Sequence, residues 1–420
     1  MESVKTRRTG AFMLTAVLFM LMFTYGAYTT MIGAQLPHLR QEFSLPLSQG
    51  GIFVVFRNSG ALVGIAIAGM LLDRLRTGVV TLMAFSFLTA TLLLVPAFPT
   101  YAGLLVLMAL QGFSSKSVDV ADNMFISTLH PERRGSYINL LHSFYGIGSF
   151  IGPMYASLLL EAGVKWSMAY LLLGVFALLL IVLYVVSLRR YEKAGGLIIA
   201  QVRQARKPTP MRTVLKPRTF CLCVILILYT GHQMGMNTWL PSYMIDIMKT
   251  DAITASAAAS SFWLGIIAGR LLCSVLSSRV SNKTLLIAGN ITGGALLIVA
   301  ILADTVAAMF VGAAGAGILA GASIPLCITI GYSFFPEEQG KMSMLHAASI
   351  SIGSMAVSYA MGLLAEAAGI KFSMLFNALM LLICFALALL LPRPQKKQSV
   401  KTTTEDRDEN RMHTRPGFFK

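Results

Sequence analysis

One charged stretch, Gly69-Met70-Leu71-Leu72-Asp73-Arg74-Leu75-Arg76-Thr77-Gly78, connects two long apolar runs of the chain at 48–72 and 78–98. Each run has about the 20 residues that a helix needs to cross the roughly 30 Å hydrocarbon core of a bilayer. The charges between them collect in a short connection, as they do where an aqueous loop joins two membrane-spanning helices. The stretch therefore predicts a helical hairpin in a membrane.

The same alternation of apolar runs and short polar connections continues along the whole chain. The composition agrees, since 56% of the 420 residues are hydrophobic and only 12% are charged, whereas soluble domains carry about 25% charged residues. We therefore predict an all-α membrane protein with twelve transmembrane helices, solvated by the lipid bilayer. The predicted spans lie near 11–36, 48–72, 78–98, 101–128, 135–161, 166–188, 218–246, 253–278, 283–302, 305–334, 340–368 and 371–391.

The positive charge predicts the direction in which the chain crosses the membrane. The net charge of +16 would suit a nucleic-acid partner, but Lys and Arg occupy loops and tails between the apolar runs. Of 34 such residues, 27 lie on the side of the termini and four on the other side. Because cytoplasmic loops carry the excess of Lys and Arg, we expect both termini in the cytoplasm and a multi-pass protein of the cell (inner or plasma) membrane, with no nucleic-acid partner.

A basic, proline-containing segment divides the chain into two sets of six predicted spans. We predict an N-terminal six-helix bundle at 1–190 and a C-terminal six-helix bundle at 218–392. The segment between them, 191–217, is too poor in apolar residues to form a domain and is predicted to be a cytoplasmic linker. The charged tail at 393–420 is predicted to be disordered.

The two predicted bundles repeat one another at an offset of about 204 residues. Before the fifth span the chain reads Pro131-Glu132-Arg133-Arg134-Gly135, and before the eleventh it reads Pro336-Glu337-Glu338-Gln339-Gly340. Leu141-His142 follows the first string and Leu345-His346 follows the second. Duplicated halves with a site at their interface are a transporter architecture. Both histidines are interpreted as hydrogen bonders in helix packing, since duplication alone explains their pairing.

The loop quoted first resembles the loop signature of the major facilitator superfamily. That signature combines a glycine, here Gly69, with an aspartate-arginine pair and a further basic residue. The resemblance covers all twelve spans and implies two pseudo-symmetric six-helix bundles. It also implies that Asp73, Arg74 and Arg76 latch the bundles together at a cytoplasmic gate. We place Arg270, near the cytoplasmic end of the eighth span, in the same gate, with a purely structural role as the alternative.

The fourth predicted span carries the densest set of polar residues, Lys116, Asp119, Asp122 and Asn123. At 100° per residue, positions 116, 119 and 123 share one helix face. Ionisable residues inside a membrane are costly and are functional candidates. We interpret Asp119 as a proton carrier, with a self-neutralising Lys116–Asp119 pair as the open alternative. Asp122 is a second proton-coupling candidate, with a structural or gate role as its alternative.

Other polar side chains in predicted spans are candidate substrate-binding residues. Arg57 is interpreted as binding an anionic or hydroxyl-rich ligand, with an ion pair to a carboxylate of the fourth span as the alternative. Amides and an aromatic face suit the hydroxyls and apolar faces of a sugar ring, with polar contacts between helices as the alternative. The full set of candidates is Arg57, Asn58, Lys116, Asn123, His232, Gln233, Asn237, Trp239 and Trp263.

Two strings in the seventh and eighth spans narrow the resemblance. Trp239-Leu240-Pro241-Ser242-Tyr243-Met244 and Ser261-Phe262-Trp263-Leu264-Gly265 look like the corresponding spans of bacterial fucose/glucose-type sugar:proton symporters. Asp119 matches the position of their fourth-span glutamate, which is implicated in sugar binding and coupling. The chain departs from them at Gly33, where fucose symporters carry an aspartate. The string at 148–153 is instead similar to part of the antiporter signature of drug:proton exporters.

The sequence therefore predicts a secondary active transporter that takes up a sugar or a related small polar metabolite with a proton, by alternating access. Three alternatives stay open: proton-driven efflux of drugs or amphipathic compounds, transport of an organic anion, and sodium as the coupling ion. We find no motif for catalysis, ATP binding or a metal site, so we expect no enzyme activity, no cofactor and no metal. A monomer is expected.

Overall fold

The computed structural model describes residues 2–195 and 210–392, with side chains described from residue 9, and these residues form helices and short connections without strands. Twelve helical segments within them are long and apolar enough to cross a membrane. This confirms the predicted all-α fold with twelve spans. They are α1 Thr9–Glu42, α2 Leu47–Leu72, α3 Thr77–Ala97, α4 Tyr101–Leu129, α5 Pro131–Glu161, α6 Trp166–Lys193, α7 Pro217–Asp246, α8 Ala252–Leu276, α9 Asn282–Ala303, α10 Val306–Phe334, α11 Pro336–Ala368 and α12 Ile370–Leu390.

Three spans differ from the prediction in detail. The helix of α1 continues through Pro37 to Glu42, whereas the apolar run ends near residue 36. The span α10 is interrupted after Ala320 and resumes at Ser323, and α2 is interrupted at Gly51. Hydropathy reports which side chains lipid can solvate, and it carries little information about breaks of one or two residues in the backbone. The three differences therefore lie where backbone geometry, and not side-chain polarity, sets the end or the break of a helix.

The helices form two pseudo-symmetric six-helix bundles, α1–α6 and α7–α12. In the first bundle α1 packs on α5 and α2 packs on α4, and in the second α7 packs on α11 and α8 on α10. The same pairs recur six helices later, which is the structural counterpart of the sequence repeat. The predicted domain boundaries stay a prediction, because 196–209 of the linker and the tail at 393–420 lie outside the described residues.

The two bundles meet along three helix pairs, α1 with α7, α2 with α11 and α5 with α8. We call the end of the molecule where Lys193 ends α6 and Pro217 begins α7 the linker side. On the opposite side the bundles are in close contact. Arg40 Nη1 lies 3.1 Å from Asp246 Oδ2, and the backbone N–H of Ser48 donates to Glu366 Oε2 at 2.8 Å.

Removing the Arg40–Asp246 ion pair is expected to loosen the contact on the opposite side slightly. Ion pairs near the protein surface contribute about 0.2–1 kcal/mol and are screened by salt, so Arg40→Ala should shift the balance between closed and open forms by about 1.4- to 5-fold. The distance between spin labels at Lys165 and Lys249, measured in a background without native cysteines, reports the shift. The charge swap Arg40→Asp/Asp246→Arg should restore the wild-type distance distribution. An unchanged distribution in Arg40→Ala would show that the pair does not help to close this side.

Candidate functional site

A cavity of about 1220 Å³ lies between the two bundles. Tyr28 of α1, Arg57 of α2 and Met234 of α7 line it at the end away from the linker side, and its mouth reaches Arg134 and Asn282 at the linker side. The opposite side is closed by the contacts described above, so the cavity opens toward the linker side alone. A large cavity that is lined by apolar and polar side chains near the middle of a membrane bundle is able to hold a small solute and shield it from lipid.

The polar face of α4 points into this cavity, as the helical spacing predicts. Lys116 Nζ lies 2.9 Å from Asp119 Oδ2, and the amide of Asn123 donates to Asp119 Oδ1, also at 2.9 Å. The ammonium group of Lys116 is 5.9 Å from the centre of the Tyr25 ring on α1. All four residues line the cavity. Asp119 is thus an ionisable carboxylate that is held by an amine and an amide at a surface that a solute reaches.

Arg57 lies at the closed end of the cavity and is not paired with the carboxylates of α4. Its Nη1 donates to the carbonyl oxygen of Thr29 at 2.6 Å, and its Nη2 lies 3.8 Å from Met234 Sδ. The predicted alternative, a pair with a span-four carboxylate, is therefore wrong for this conformation. The neighbouring Asn58 also lines the cavity, although its amide group donates to the carbonyl oxygen of Val54 within α2.

Two of the predicted binding residues of α7 and α8, Gln233 and Trp263, line the cavity. The ring N–H of Trp263 donates to Asn237 Oδ1 at 3.0 Å. Asn237 itself is buried off the cavity, so it holds Trp263 in place and does not itself reach a solute. The prediction that Asn237 contacts substrate is corrected accordingly.

His232 and Trp239 also lie off the cavity, which corrects their predicted role in substrate binding. His232 Nδ1 is 2.7 Å from Asn377 Oδ1, so its ring faces α12 within the second bundle. The ring N–H of Trp239 donates to the carbonyl oxygen of Ser358 at 3.1 Å, and its ring lies against Gly50. Residues one position apart on a helix differ by 100° in direction, which is why the ring of His232 faces α12 although its neighbour Gln233 lines the cavity.

Asp122 is corrected in the same way, because its fully buried side chain points away from the cavity. Its two carboxylate oxygens form no hydrogen bond of ordinary geometry with the described residues, although the Thr81 hydroxyl of α3 is near enough to interact with them. The neighbouring Ala121 packs in a small apolar cluster with Leu72 and Val80, between α4 and the hairpin of α2 and α3. A carboxyl group in this position is shielded from a solute in the cavity, and its predicted part in proton coupling stays without structural support.

The predicted gate residues lie at two different depths from the surface of the linker side. Asp73, Arg74 and Arg76 are exposed, and Arg76 Nη1 lies 3.8 Å from Glu192 Oε1 of the same bundle. Arg270 lies deeper, lines the cavity and donates from Nε to the carbonyl oxygen of Gly321 at 3.3 Å. The two bundles are apart at the linker side in this conformation. A latch formed by these residues therefore stays a prediction for the conformation in which the linker side is closed.

Two histidines that were predicted from the repeat to pack between helices line the cavity instead. His142 of α5 is close enough to Asp119 to interact with it electrostatically. His346 of α11 is buried, and neither of its ring nitrogens has a hydrogen-bond partner among the described residues. The sequence repeat could have indicated this location. Duplication places equivalent residues at equivalent depths in the two bundles, on either side of the interface between them.

The chain resembles known proteins along most of its length. It is 20% identical over 390 residues to a "Protein TsgA homolog" of Buchnera aphidicola subsp. Baizongia pistaciae, covering 92% of this chain and 97% of that protein. It is 23% identical over 329 residues to a "Putative glucose/galactose transporter" of Helicobacter pylori, covering 73% and 77%.

A solved structure of the fucose:proton symporter FucP of E. coli matches with a TM-score of 0.60 and 19% identity, covering 90% of this chain and 98% of that one. At this identity the match shows a shared fold. The family model of the Major Facilitator Superfamily matches residues 17–256 and 246–418. Together with the twelve helices and the two bundles, these matches show that the chain belongs to the Major Facilitator Superfamily.

Proposed function

We propose that this protein takes up a sugar or a related small polar metabolite together with a proton, by alternating access of one central site. The observation that carries the proposal is the position of Asp119, an ionisable carboxylate that lines a cavity between two bundles. A glucose/galactose transporter among the relatives and a fucose:proton symporter among the structures with this fold support the choice of substrate and of coupling ion.

The distribution of positive charge supports the orientation of the protein. Because the linker side carries the large excess of Lys and Arg, it is the cytoplasmic side, and the conformation described here is open to the cytoplasm. Uptake then requires the bundles to rock, so that the contact around Arg40 and Asp246 opens while the cytoplasmic side closes. In this proposal Asp73, Arg74 and Arg76 contact the second bundle when the cytoplasmic side closes.

The substrate is held by amides and one aromatic ring. Asn58 and Gln233 come from different bundles, and both line the cavity. Their amide groups accept and donate hydrogen bonds, as sugar hydroxyls require. Trp263, fixed by its hydrogen bond from the ring N–H, offers a flat apolar face to the C–H face of a sugar ring.

Asp119 couples substrate movement to proton movement. Its carboxylate interacts with Lys116, Asn123 and His142, which lie on two helices of the first bundle, so rocking of the second bundle against them changes its access to water. Protonation of Asp119 releases Lys116 from its ion pair and changes the charge of the cavity. A ligand or proton shifts such an equilibrium only through its different affinity for the two conformations, and Asp119 supplies that difference.

Transport into proteoliposomes under an imposed gradient tests the proposal. Labelled sugars should accumulate above equilibrium when the outside is acidic, and a protonophore should abolish the accumulation. A sodium gradient without a proton gradient should produce equilibration only. If no sugar or sugar acid enters while cationic dyes are extruded against a proton gradient, the protein is an exporter and the proposal is wrong.

A further inference from the structure

The charges that line the cavity do not balance. The cavity surface carries four permanently basic residues, Arg57, Lys116, Arg134 and Arg270, and one carboxylate, Asp119. Lys116 is paired with Asp119 at 2.9 Å. The three guanidinium groups form no ion pair with a described carboxylate, so the cavity is positively charged from its mouth to its closed end.

Arg57 makes this imbalance costly. Its side chain is 5% exposed, and among the described residues its five N–H donors meet one carbonyl oxygen and one thioether sulfur. Neither acceptor carries a negative charge. A buried charge without a partner is strongly unfavourable, and it is more so within the thickness of a membrane. Retaining an arginine here suits a site that receives its counter-ion from the ligand.

Arg57 is also separated along the cavity from the Lys116–Asp119 pair. The backbone of Arg57 crosses α4 at Gly112, and a helix rises 1.5 Å per residue. Lys116 and Asp119 therefore lie about 6 and about 10 Å nearer to the mouth. A ligand with its charged group at Arg57 has Asn58 and Gln233 beside it and Asp119 beyond it.

We propose that the substrate is an anionic polyhydroxy compound of the sugar-acid class, whose carboxylate binds the guanidinium group of Arg57 at the closed end of the cavity. The planar guanidinium group matches a carboxylate with two parallel hydrogen bonds. The hydroxyl groups of the substrate extend toward the amides of Asn58 and Gln233. This inference rests on the proposed function and narrows its substrate from sugars in general to sugar acids.

A sugar acid and a neutral sugar should respond differently to the membrane potential. One monocarboxylate that crosses with one proton carries no net charge, whereas a neutral sugar with one proton carries one positive charge. A membrane potential of 100 mV would raise the accumulation of the neutral sugar about 50-fold. The same potential would leave the accumulation of the sugar acid unchanged.

The first test compares D-glucuronate with D-glucose in proteoliposomes that contain the full chain, under an inward proton gradient, at zero potential and at 100 mV, inside negative. D-Glucuronate should accumulate at equal levels at both potentials, and D-glucose should compete at least tenfold more weakly. Accumulation that rises with potential, or equal competition by D-glucose, would overturn the inference. If D-glucose alone accumulates with protons, the proposed function stands and the inference fails. If neither compound accumulates, both fail.

The second test removes the guanidinium group. Arg57→Gln should raise the Kd for D-glucuronate at least tenfold, and Arg57→Lys should raise it by less. The control Arg212→Gln removes an exposed arginine outside the cavity and should leave this Kd unchanged. Thermal unfolding of each detergent-solubilised variant shows that it is folded. A Kd for D-glucuronate within twofold of wild type in folded Arg57→Gln would contradict the assignment. If Arg57→Gln is unfolded, equal Kd values for Arg57→Lys and wild type would contradict it.

Discussion

Replacing Asp119 with asparagine is expected to abolish proton-driven accumulation of substrate while exchange of substrate across the bilayer continues. Asparagine has nearly the same shape, but Lys116 and Asn123 donate to different oxygens of Asp119 at 2.9 Å. Because asparagine keeps one acceptor oxygen, it retains one of these two hydrogen bonds. It cannot take up a proton at any pH at which the protein is folded. With one coupled proton, a gradient of two pH units supports about 100-fold accumulation, and the Asp119→Asn variant should fall to equilibration.

A double variant separates coupling from the open alternative, in which Lys116 and Asp119 only neutralise each other. If the pair is structural, Lys116→Met/Asp119→Asn removes both charges together and should restore accumulation. If Asp119 carries the proton, the double variant stays uncoupled. The matched control is Asp122→Asn, one carboxylate on the same helix that points away from the cavity, which should keep accumulation near wild type. Measuring both gradient-driven uptake and exchange in all three variants decides between the interpretations.

Replacing Gly33 with alanine is expected to drive the protein away from the conformation that is open to the linker side. The place of a methyl group at Gly33 is occupied by the backbone carbonyl oxygen of Asn237, where α1 and α7 approach on the opposite side. Neither backbone can move without separating the bundles. Inserting a methyl group into a tight contact costs about 1–3 kcal/mol, and this should shift the two conformations about 5- to 150-fold.

Gly112→Ala provides the matched control, because the clash there lies within one bundle. A methyl group at Gly112 would overlap the carbonyl oxygen of Arg57, where α4 crosses α2. Those two helices stay packed while the bundles rock, so this variant should lower the Tm and leave the conformational balance unchanged. Spin labels at Lys165 and Lys249 should move apart in Gly33→Ala alone. A lower Tm in both variants with no change in label distance would contradict the assignment of Gly33 to the moving interface.

Gly33 also shows where the resemblance to fucose symporters reaches its limit. The resemblance aligns this position with an aspartate, so the sequence alone indicates a missing carboxylate. In this chain the position of its side chain is filled by α7, so no carboxylate fits while the opposite side is closed. The proton site that we propose therefore lies elsewhere, at Asp119, the one described carboxylate that lines the cavity.

The amino-acid sequence determined the twelve spans, their division into two repeated bundles and the face of α4 that meets the cavity. These follow from local rules, because lipid solvates apolar side chains in runs of fixed length and a helix repeats every 3.6 residues. Lys116, Asp119 and Asn123 could be assigned to one face since all three lie within two turns of one helix. The direction of the chain in the membrane is predicted by the same kind of local rule, the position of Lys and Arg.

Only the tertiary structure decided which polar residues of different helices meet. His232 and Gln233 are neighbours in sequence, yet the first hydrogen bonds with Asn377 on α12 and the second faces the cavity. Trp239 is part of the contact that closes the opposite side, and Arg57 pairs with none of the carboxylates that the structure describes. These outcomes depend on the rotation of each helix about its own axis, which the packing of neighbouring helices sets. A single sequence carries no direct record of that rotation, because a polar residue on any face of a membrane helix satisfies the same local rules.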